Sequence, residues 1–282
     1  MLTATPAEPD PQQVRPRLFQ FGHIAIPTYG ALTALALIAA LAAAMHAARR
    51  LSLDPNQIWT LSLTAILTAL IGARLLLVVA HFSAFRQHPF WILGLTGARD
   101  WWTAPLSIAL GIAAAVLYAL SEGLPLLRVA DSLAPAAALA VAVNRIGAFV
   151  AGIDFGMPAA VPWSVTYTSR IAALWYRTPL GIPLHPVQLY AAAVALIAFA
   201  LLMWRLPRLR TGRGHDGEFA GAALFLLGLA SPFLSLYRAD ETRPAISLTL
   251  SVVAVLVGAA LWLDRSPTPR GYTGTDDSPP AP

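Results

Sequence analysis

The chain has 282 residues, of which 57% are hydrophobic and only 12% are charged, and its mean hydropathy is +0.63. Soluble domains carry roughly a quarter charged residues, so this composition argues against a cytosolic globular enzyme. Cysteine is absent, which excludes disulfides, thiolate zinc sites and a cysteine nucleophile on the protein. All 19 cations are arginine and the net charge is +5. The arginines lie between or inside apolar segments and form no stripe, so we expect no nucleic-acid partner.

Long apolar stretches follow one another along the chain. A helix that crosses the hydrocarbon core of about 30 Å needs about 20 apolar residues. Seven stretches of this kind predict transmembrane helices at 26–48, 58–80, 102–120, 129–151, 186–206, 219–236 and 246–263. Residues 90–95, just before the third stretch, form a candidate interfacial segment. The sequence therefore predicts an all-α, polytopic integral membrane protein with about seven transmembrane helices.

The two ends of the chain differ from the rest in composition. Residues 1–18 are polar and rich in proline, and they lack the basic and short apolar regions of a signal peptide. We therefore expect the first span to stay in the mature protein. Residues 266–282 are rich in Pro, Gly, Asp, Ser and Thr, a composition typical of disorder. The sequence predicts a membrane domain at 19–265 between two disordered segments.

Arginines in short loops predict the orientation, because cytoplasmic loops carry an excess of positive charge. The number of arginines differs only slightly between the loops on the two sides of the membrane. The loop after the fifth span nevertheless contributes strongly to this difference. That loop carries Arg205, Arg208, Arg210 and Arg213. The distribution places the N-terminus outside and the C-terminus in the cytoplasm.

Arg145 lies inside a predicted span, and a charged group at that depth needs an anion, carbonyl groups or water. One hypothesis is a bidentate contact with an anionic lipid headgroup. The other is an internal pair with Asp131 or Asp154, or snorkelling toward the helix end. Asp154 follows the span between Gly152 and Gly156, and it can orient Arg145, act as a base or simply end the helix.

A second polar group opens the fifth span. Pro186 suits a first helical turn, so His185 lies at the cap, with Gln188 on the same helix face and Tyr190 after it. Arg74 lies deep in the second span, and Tyr29 lies early in the first. The remaining histidines show no metal-ligand spacing, and we predict neither a metal site nor a cofactor.

Several of these strings together resemble the prolipoprotein diacylglyceryl transferases. The two specific ones are Arg145-x-Gly147-x-Phe149 and His185-Pro-x-Gln-Leu-Tyr190. Supporting strings are the 152–156 turn with Pro158, Pro162-Trp-Ser-Val165, Asp131-Ser-Leu-Ala-Pro135, Tyr29-Gly30, Gly72-Ala-Arg74 and Gly217-Glu-Phe-Ala-Gly221. The resemblance covers about residues 21–238 and includes the seven-span topology.

The resemblance implies a multi-pass enzyme of the bacterial inner membrane. Such an enzyme moves the diacylglyceryl group of phosphatidylglycerol to the lipobox cysteine thiol of a lipoprotein precursor, and glycerol phosphate leaves. This chemistry needs a cationic clamp on the phosphate and a base for the thiol. The expected partners are phosphatidylglycerol, or another anionic phospholipid, and the lipoprotein precursor, and the expected state is a monomer.

The resemblance also assigns roles to individual residues. Arg145 matches the essential arginine of the family and is the best candidate for the clamp, while Asp154 and His185 are the other candidate catalytic residues. The candidate substrate-binding residues are Tyr29, Arg74, Gly147, Gly156, Gln188, Tyr190 and Arg238.

The chain departs from the family pattern at several polar positions. Asn144, Ala148, Ala151 and Ile153 stand where the family has Gly, Asn, Asn and Glu, and Asp154 can supply a displaced carboxylate. The third span lacks the histidine that is regarded as catalytic in the family. In the sixth span, Ser231 and Ser235 replace an arginine and a glutamate, while Arg238 matches.

Three hypotheses therefore remain at the level of sequence. The first is an active, divergent diacylglyceryl transferase. The second is a catalytically retired relative that binds anionic lipid or lipoprotein precursor without turnover. The third is a transferase with an altered donor or acceptor. A channel or transporter is disfavoured, because paired half-helices and a chain of intramembrane carboxylates are not visible.

Overall fold

The computed structural model describes residues 16–21, 24–87, 102–210, 215–239 and 244–264. Most of these residues are helical, and four short strands form two antiparallel pairs. The elements are β1 Arg17–Phe21, β2 Ile24–Pro27, α1 Thr28–Arg50, α2 Pro55–Ala80, α3 Phe82–Gln87, α4 Thr103–Ser121, α5 Leu126–Ala151, β3 Val165–Thr166, α6 Arg170–Tyr176, β4 Pro183–Leu184, α7 Val187–Arg210, α8 Glu218–Ser235 and α9 Pro244–Leu263.

In the described part of the chain, seven helices are long and apolar enough to cross a membrane, namely α1, α2, α4, α5, α7, α8 and α9. This confirms the predicted fold class and the seven spans, with bounds that differ by a few residues. The first span begins at Thr28 instead of residue 26, because Ile26 and Pro27 belong to a hairpin. In that hairpin β1 pairs antiparallel with β2, and the amide of Thr28 donates to the carbonyl of Pro16 over 3.0 Å.

The hairpin also affects the predicted domain boundary. Strand β1 begins at Arg17, two residues before the membrane domain predicted to start at residue 19. Residues 1–15, the candidate interfacial segment 90–95 and the predicted tail 266–282 lie outside the described residues.

Helix α5 packs against α1, α7 and α8. Small residues make this packing possible, because backbones in a membrane approach closely where side chains are short. Gly147 is the clearest case, since a Cβ atom at this position would come within 2.9 Å of the Cβ atom of Leu32 on α1. Ala138, Ala142 and Ala151 of α5 are also completely buried. The glycine in the Arg145 segment therefore has a packing role between α1 and α5.

Asp131 of α5 caps the N-terminus of α8. Its carboxylate accepts hydrogen bonds from the amides of Gly217, Phe219 and Ala220 over 2.7, 2.9 and 2.9 Å. The first amides of a helix have no partner within the helix, and burial without a partner costs about 1–3 kcal/mol for each group. Asp131 is 1% exposed and satisfies three of these amides at once. It is therefore a structural cap of α8, and it is not the partner of Arg145.

The same end of the molecule carries two ion pairs beside this cap. Arg128 forms a bidentate contact with Asp216, with nitrogen–oxygen distances of 3.1 and 3.0 Å. Arg205 donates to Glu218 over 2.9 Å. These contacts tie α5 and α7 to the start of α8.

We predict that Asp131→Ala lowers the free energy of unfolding in detergent by about 3 kcal/mol or more, because three buried amides lose their acceptor. Asp131→Asn keeps one oxygen acceptor, so its loss should be smaller. Asp54→Ala is the matched control, since this carboxylate caps α2 through a single exposed bond to Asn56 and should cost about 1 kcal/mol. Equal losses for Asp131→Ala and Asp54→Ala would contradict the assigned cap.

Candidate functional site

Helix α5 ends at a glycine that takes a left-handed conformation. Gly152 has φ +79°, a region in which side chains are disfavoured. The amide of Ile153 donates to the carbonyl of Ala148 over 2.8 Å, and the Ile153 side chain is buried against Ala148 and Ala151. This is the hydrogen-bond and apolar pattern with which helices commonly end. The turn predicted after this span is therefore present and anchored in the core.

Asp154 follows in the same turn and is itself left-handed, with φ +54°. Aspartate is one of the few non-glycine residues found in this region. The turn directs the Asp154 carboxylate back toward α5, where its Oδ2 lies 2.8 Å from an Nη atom of Arg145. Of the internal partners considered for Arg145, the structure therefore selects Asp154. Both side chains are about 30% exposed, so the pair is only partly removed from water.

The chain after Asp154 runs beside the segment that follows α8. Gly156 and Arg238 form an antiparallel bridge, and the amide of Met157 donates to the carbonyl of Tyr237 over 2.8 Å. The amide of Ala239 donates to the carbonyl of Phe155 over 3.3 Å. These backbone bonds bring Arg238 to the end of α5, although the two segments are about 80 residues apart in sequence.

Arg145, Asp154 and Arg238 line one cavity of about 170 Å³. Its remaining polar lining comes from Gln188, Ser231, Ser235 and Ser247, and its apolar lining comes from Val141, Val187, Ala191, Val194, Leu227, Ala230 and Leu234. The described lining thus contains two guanidinium groups and one carboxylate. A cavity of this composition can hold a phosphate group and has apolar surface beside it.

His185 lies next to this cavity in an aromatic cluster. Its Nδ1 is 3.3 Å from the Tyr190 hydroxyl, which accepts a hydrogen bond from Trp163 over 2.6 Å. The His185 ring also packs edge to face against Tyr237, with centroids 4.9 Å apart. Among the described residues, those that line the cavity include neither His185 nor Tyr190.

Gln188 is only 1% exposed and connects α7 to the turn. Its amide nitrogen donates to the carbonyl of Ile153 over 2.7 Å and lies 3.3 Å from the Tyr167 hydroxyl. Burial raises the pKa of Tyr167 to about 12, so its phenol stays protonated at neutral pH. The sequence predicts that His185 and Gln188 lie on the same helix face. In the structure, the His185 side chain lies in the aromatic cluster and the Gln188 side chain lies at the turn.

Five predicted substrate-binding residues are absent from the described cavity lining, namely Tyr29, Arg74, Gly147, Gly156 and Tyr190. The Tyr29 hydroxyl exchanges hydrogen bonds with Asn144 at 3.2–3.4 Å, which joins α1 to α5. The guanidinium of Arg74 lies 5.7 Å from the Phe85 ring centroid. Gly147 packs α5 against Leu32. Their roles in substrate binding stay predictions.

Sequence reasoning missed other residues of the site. Ser247 of α9 lines the cavity, and Thr178 donates to the carbonyl of Gly152 over 2.7 Å. A serine in an apolar span and a threonine in a loop carry no distinctive spacing, so no sequence signal indicates them. In the described part of the chain, no three His, Cys, Asp or Glu side chains are grouped as a metal site would require.

The fold and this cavity define a multi-pass membrane protein with an arginine-lined pocket at one end of a seven-helix bundle. The family model for prolipoprotein diacylglyceryl transferase matches residues 16–263. The chain belongs to this family.

Individual relatives cover nearly the whole chain. It is 27% identical over 258 residues to a phosphatidylglycerol–prolipoprotein diacylglyceryl transferase of Clostridium tetani, covering 89% of this chain and 98% of the relative. It is 29% identical over 283 residues to the protein of the same name in Trichormus variabilis, covering 93% and 95%. A Rhodospirillum centenum protein of that name is 31% identical over 213 residues, covering 71% of each chain.

We predict that Gly156→Ala severely disrupts this end of the molecule. A Cβ atom at Gly156 would overlap the carbonyl oxygen of His185, a backbone atom that cannot rotate away. Gly181→Ala is the matched control, because Gly181 is a left-handed loop glycine with open space around it and should cost only about 1–2 kcal/mol of strain. Thermal unfolding of both variants in detergent measures the difference. A Gly156→Ala protein as stable as Gly181→Ala would contradict the close approach.

Proposed function

We propose that this chain transfers the diacylglyceryl group of phosphatidylglycerol to the cysteine thiol of a lipoprotein precursor. In this reaction the thiol sulfur forms a thioether bond with the glyceryl carbon that carries the phosphate ester. The bond from that carbon to the ester oxygen breaks, glycerol phosphate leaves with the electron pair, and the thiol proton passes to a base. The observation that carries the proposal is the cavity in which Arg145, Arg238 and Asp154 meet.

Arg145 and Arg238 are the proposed clamp on the phosphate. Negative charge grows on the leaving phosphate as the carbon–oxygen bond breaks, and fixed cationic donors stabilise that charge. The Asp154 carboxylate pairs with the guanidinium of Arg145. Arg145 uses one nitrogen for Asp154, and a guanidinium has further N–H donors for a phosphate.

Asp154 is the better supported of the two candidate bases. It lines the cavity, whereas the described lining does not include His185. The family has a glutamate at the position of Ile153, but here that side chain is buried in the core. The left-handed backbone of the next residue brings a carboxylate to Arg145 instead, which supports a displaced base at Asp154. His185 remains the second candidate for this role.

Ser231 and Ser235 line the same cavity as Arg238. They stand where the family has an arginine and a glutamate, so one charge of each sign is absent and the net charge of this wall is unchanged. The loss of polar groups is therefore compatible with a phosphate site of the same overall charge. The names of the relatives do not favour the binding-only alternative.

The seven spans and the bacterial family indicate a multi-pass protein of the inner membrane. We propose that the N-terminus lies outside, as the arginine distribution predicts. The cavity is at the same end of the bundle as the start of α1, so it would lie on the outer side of the membrane, where secreted precursors emerge. We also propose that the chain works as a monomer.

We predict that Arg145→Ala lowers turnover about 100-fold or more, because a preorganised donor to the leaving phosphate is lost. Arg145→Lys should recover little of this loss, since a single ammonium cannot replace a bidentate fork. The assay follows release of glycerol phosphate from phosphatidylglycerol vesicles by the purified chain with a lipobox peptide. Arg170→Ala is the control, because Arg170 is an exposed arginine at the same end. Wild-type turnover in Arg145→Lys would contradict the proposed clamp.

Complementation tests the proposal in cells. The chain is expressed in a bacterium whose own transferase is depleted, and lipoprotein precursor is followed by gel shift. We expect the wild type and Arg170→Ala to restore processing and Arg145→Ala to fail, at matched protein levels in the membrane. If the wild type fails but the purified chain retains phosphatidylglycerol without releasing glycerol phosphate, the binding-only alternative replaces the transferase.

A further inference from the structure

The turn that carries Asp154 is held by two buried side chains from outside the turn. Thr178 is 2% exposed, and its hydroxyl lies 2.7 Å from the carbonyl oxygen of Gly152 and 3.1 Å from that of Ala172. The amide nitrogen of Gln188, which is 1% exposed, donates to the carbonyl of Ile153 over 2.7 Å. Two consecutive carbonyls of the turn are therefore fixed from different elements.

These two carbonyls belong to the peptide groups that immediately precede Asp154. The orientation of these two peptide groups determines the direction in which the chain enters Asp154. It therefore restricts the φ angle that Asp154 can take. A left-handed conformation of a non-glycine residue costs about 1–2 kcal/mol and persists only where the surroundings determine it. In an extended or right-handed conformation, the same residue would carry its carboxylate away from Arg145. The two buried donors thus stabilise the turn geometry in which Asp154 pairs with Arg145.

We propose that Thr178 and Gln188 are positioning residues for the transfer reaction, and that they act through Asp154. This inference rests on the proposed function. Thr178 is the sharper test, because Gln188 also lines the cavity, whereas Thr178 does not appear in the described lining. Thr178 reaches the reacting groups through the carbonyl of Gly152 and the backbone of Asp154.

The test compares Thr178→Val with Thr178→Ser in the full-length chain. Valine has nearly the shape of threonine but cannot donate a hydrogen bond, whereas serine keeps the hydroxyl. With phosphatidylglycerol vesicles and a lipobox peptide, we expect Thr178→Val to lower kcat by about ten- to a hundredfold, the size of effect that a misplaced catalytic group produces. Thr178→Ser should stay within about twofold of the wild type. Wild-type kcat in Thr178→Val would overturn the proposal.

A second background separates positioning from general stability. Asp154→Gly removes the carboxylate and relieves the backbone strain. In this background Thr178→Val should cause no further loss of rate, because the group that Thr178 positions is gone. The same fold-loss in both backgrounds would show that Thr178 acts by another route and would overturn the proposal.

A spectroscopic measurement tests the position of the Asp154 carboxylate independently of the transfer reaction. The ¹³C carboxylate signal of Asp154 is identified by its absence in Asp154→Asn. We expect this signal to move in Thr178→Val and to stay in place in Thr178→Ser. An inactive wild type with this pattern would defeat the proposed function and leave the positioning intact, whereas an unmoved signal in Thr178→Val would defeat the positioning.

Discussion

The contact between Arg145 and Asp154 is the interaction on which the described site depends. An arginine near the end of a membrane helix must be compensated, and here the compensation comes from a residue only nine positions later, over 2.8 Å. The contact requires α5 to stop at Gly152 and the chain to turn left-handed twice. The backbone bridge that brings Arg238 into the cavity begins two residues further on. The turn that makes the ion pair therefore also sets the direction of the loop that assembles the site.

The architecture of the membrane domain follows from its sequence to within a few residues, because length and hydropathy alone determine which segments span a bilayer. The exceptions have local causes. The first helix starts at Thr28 because a hairpin uses Ile26 and Pro27. The short strands β3 and β4 contain two residues each, too few for any alternation of polar and apolar residues to indicate them.

The site could be predicted only in part. Arg145, Asp154 and Gln188 are recognisable as polar groups in or at the ends of apolar spans, and Arg238 is recognisable only from the resemblance to the family. The structure brings all four to one cavity. The partner of Arg145 could not be chosen from sequence, since Asp131 and Asp154 are both nearby in the chain. The choice depends on Asp131 being used by three amides of α8, a tertiary contact. Thr178 could not be predicted for the same reason, because its proposed role depends on a hydrogen bond to a carbonyl 26 residues away in the chain.

The capping of α8 by a side chain from α5 has a consequence for the order of biosynthesis. Helix α5 leaves the ribosome well before α8, so its acceptor is already in the membrane when the first amides of α8 arrive. Until the two helices meet, Asp131 lacks its three amide donors, and the first amides of α8 lack their side-chain acceptor. Each segment is therefore a poor lipid-exposed helix alone, and the two gain most by pairing during insertion. The cap thus makes the start of the sixth span depend on a side chain of the fourth.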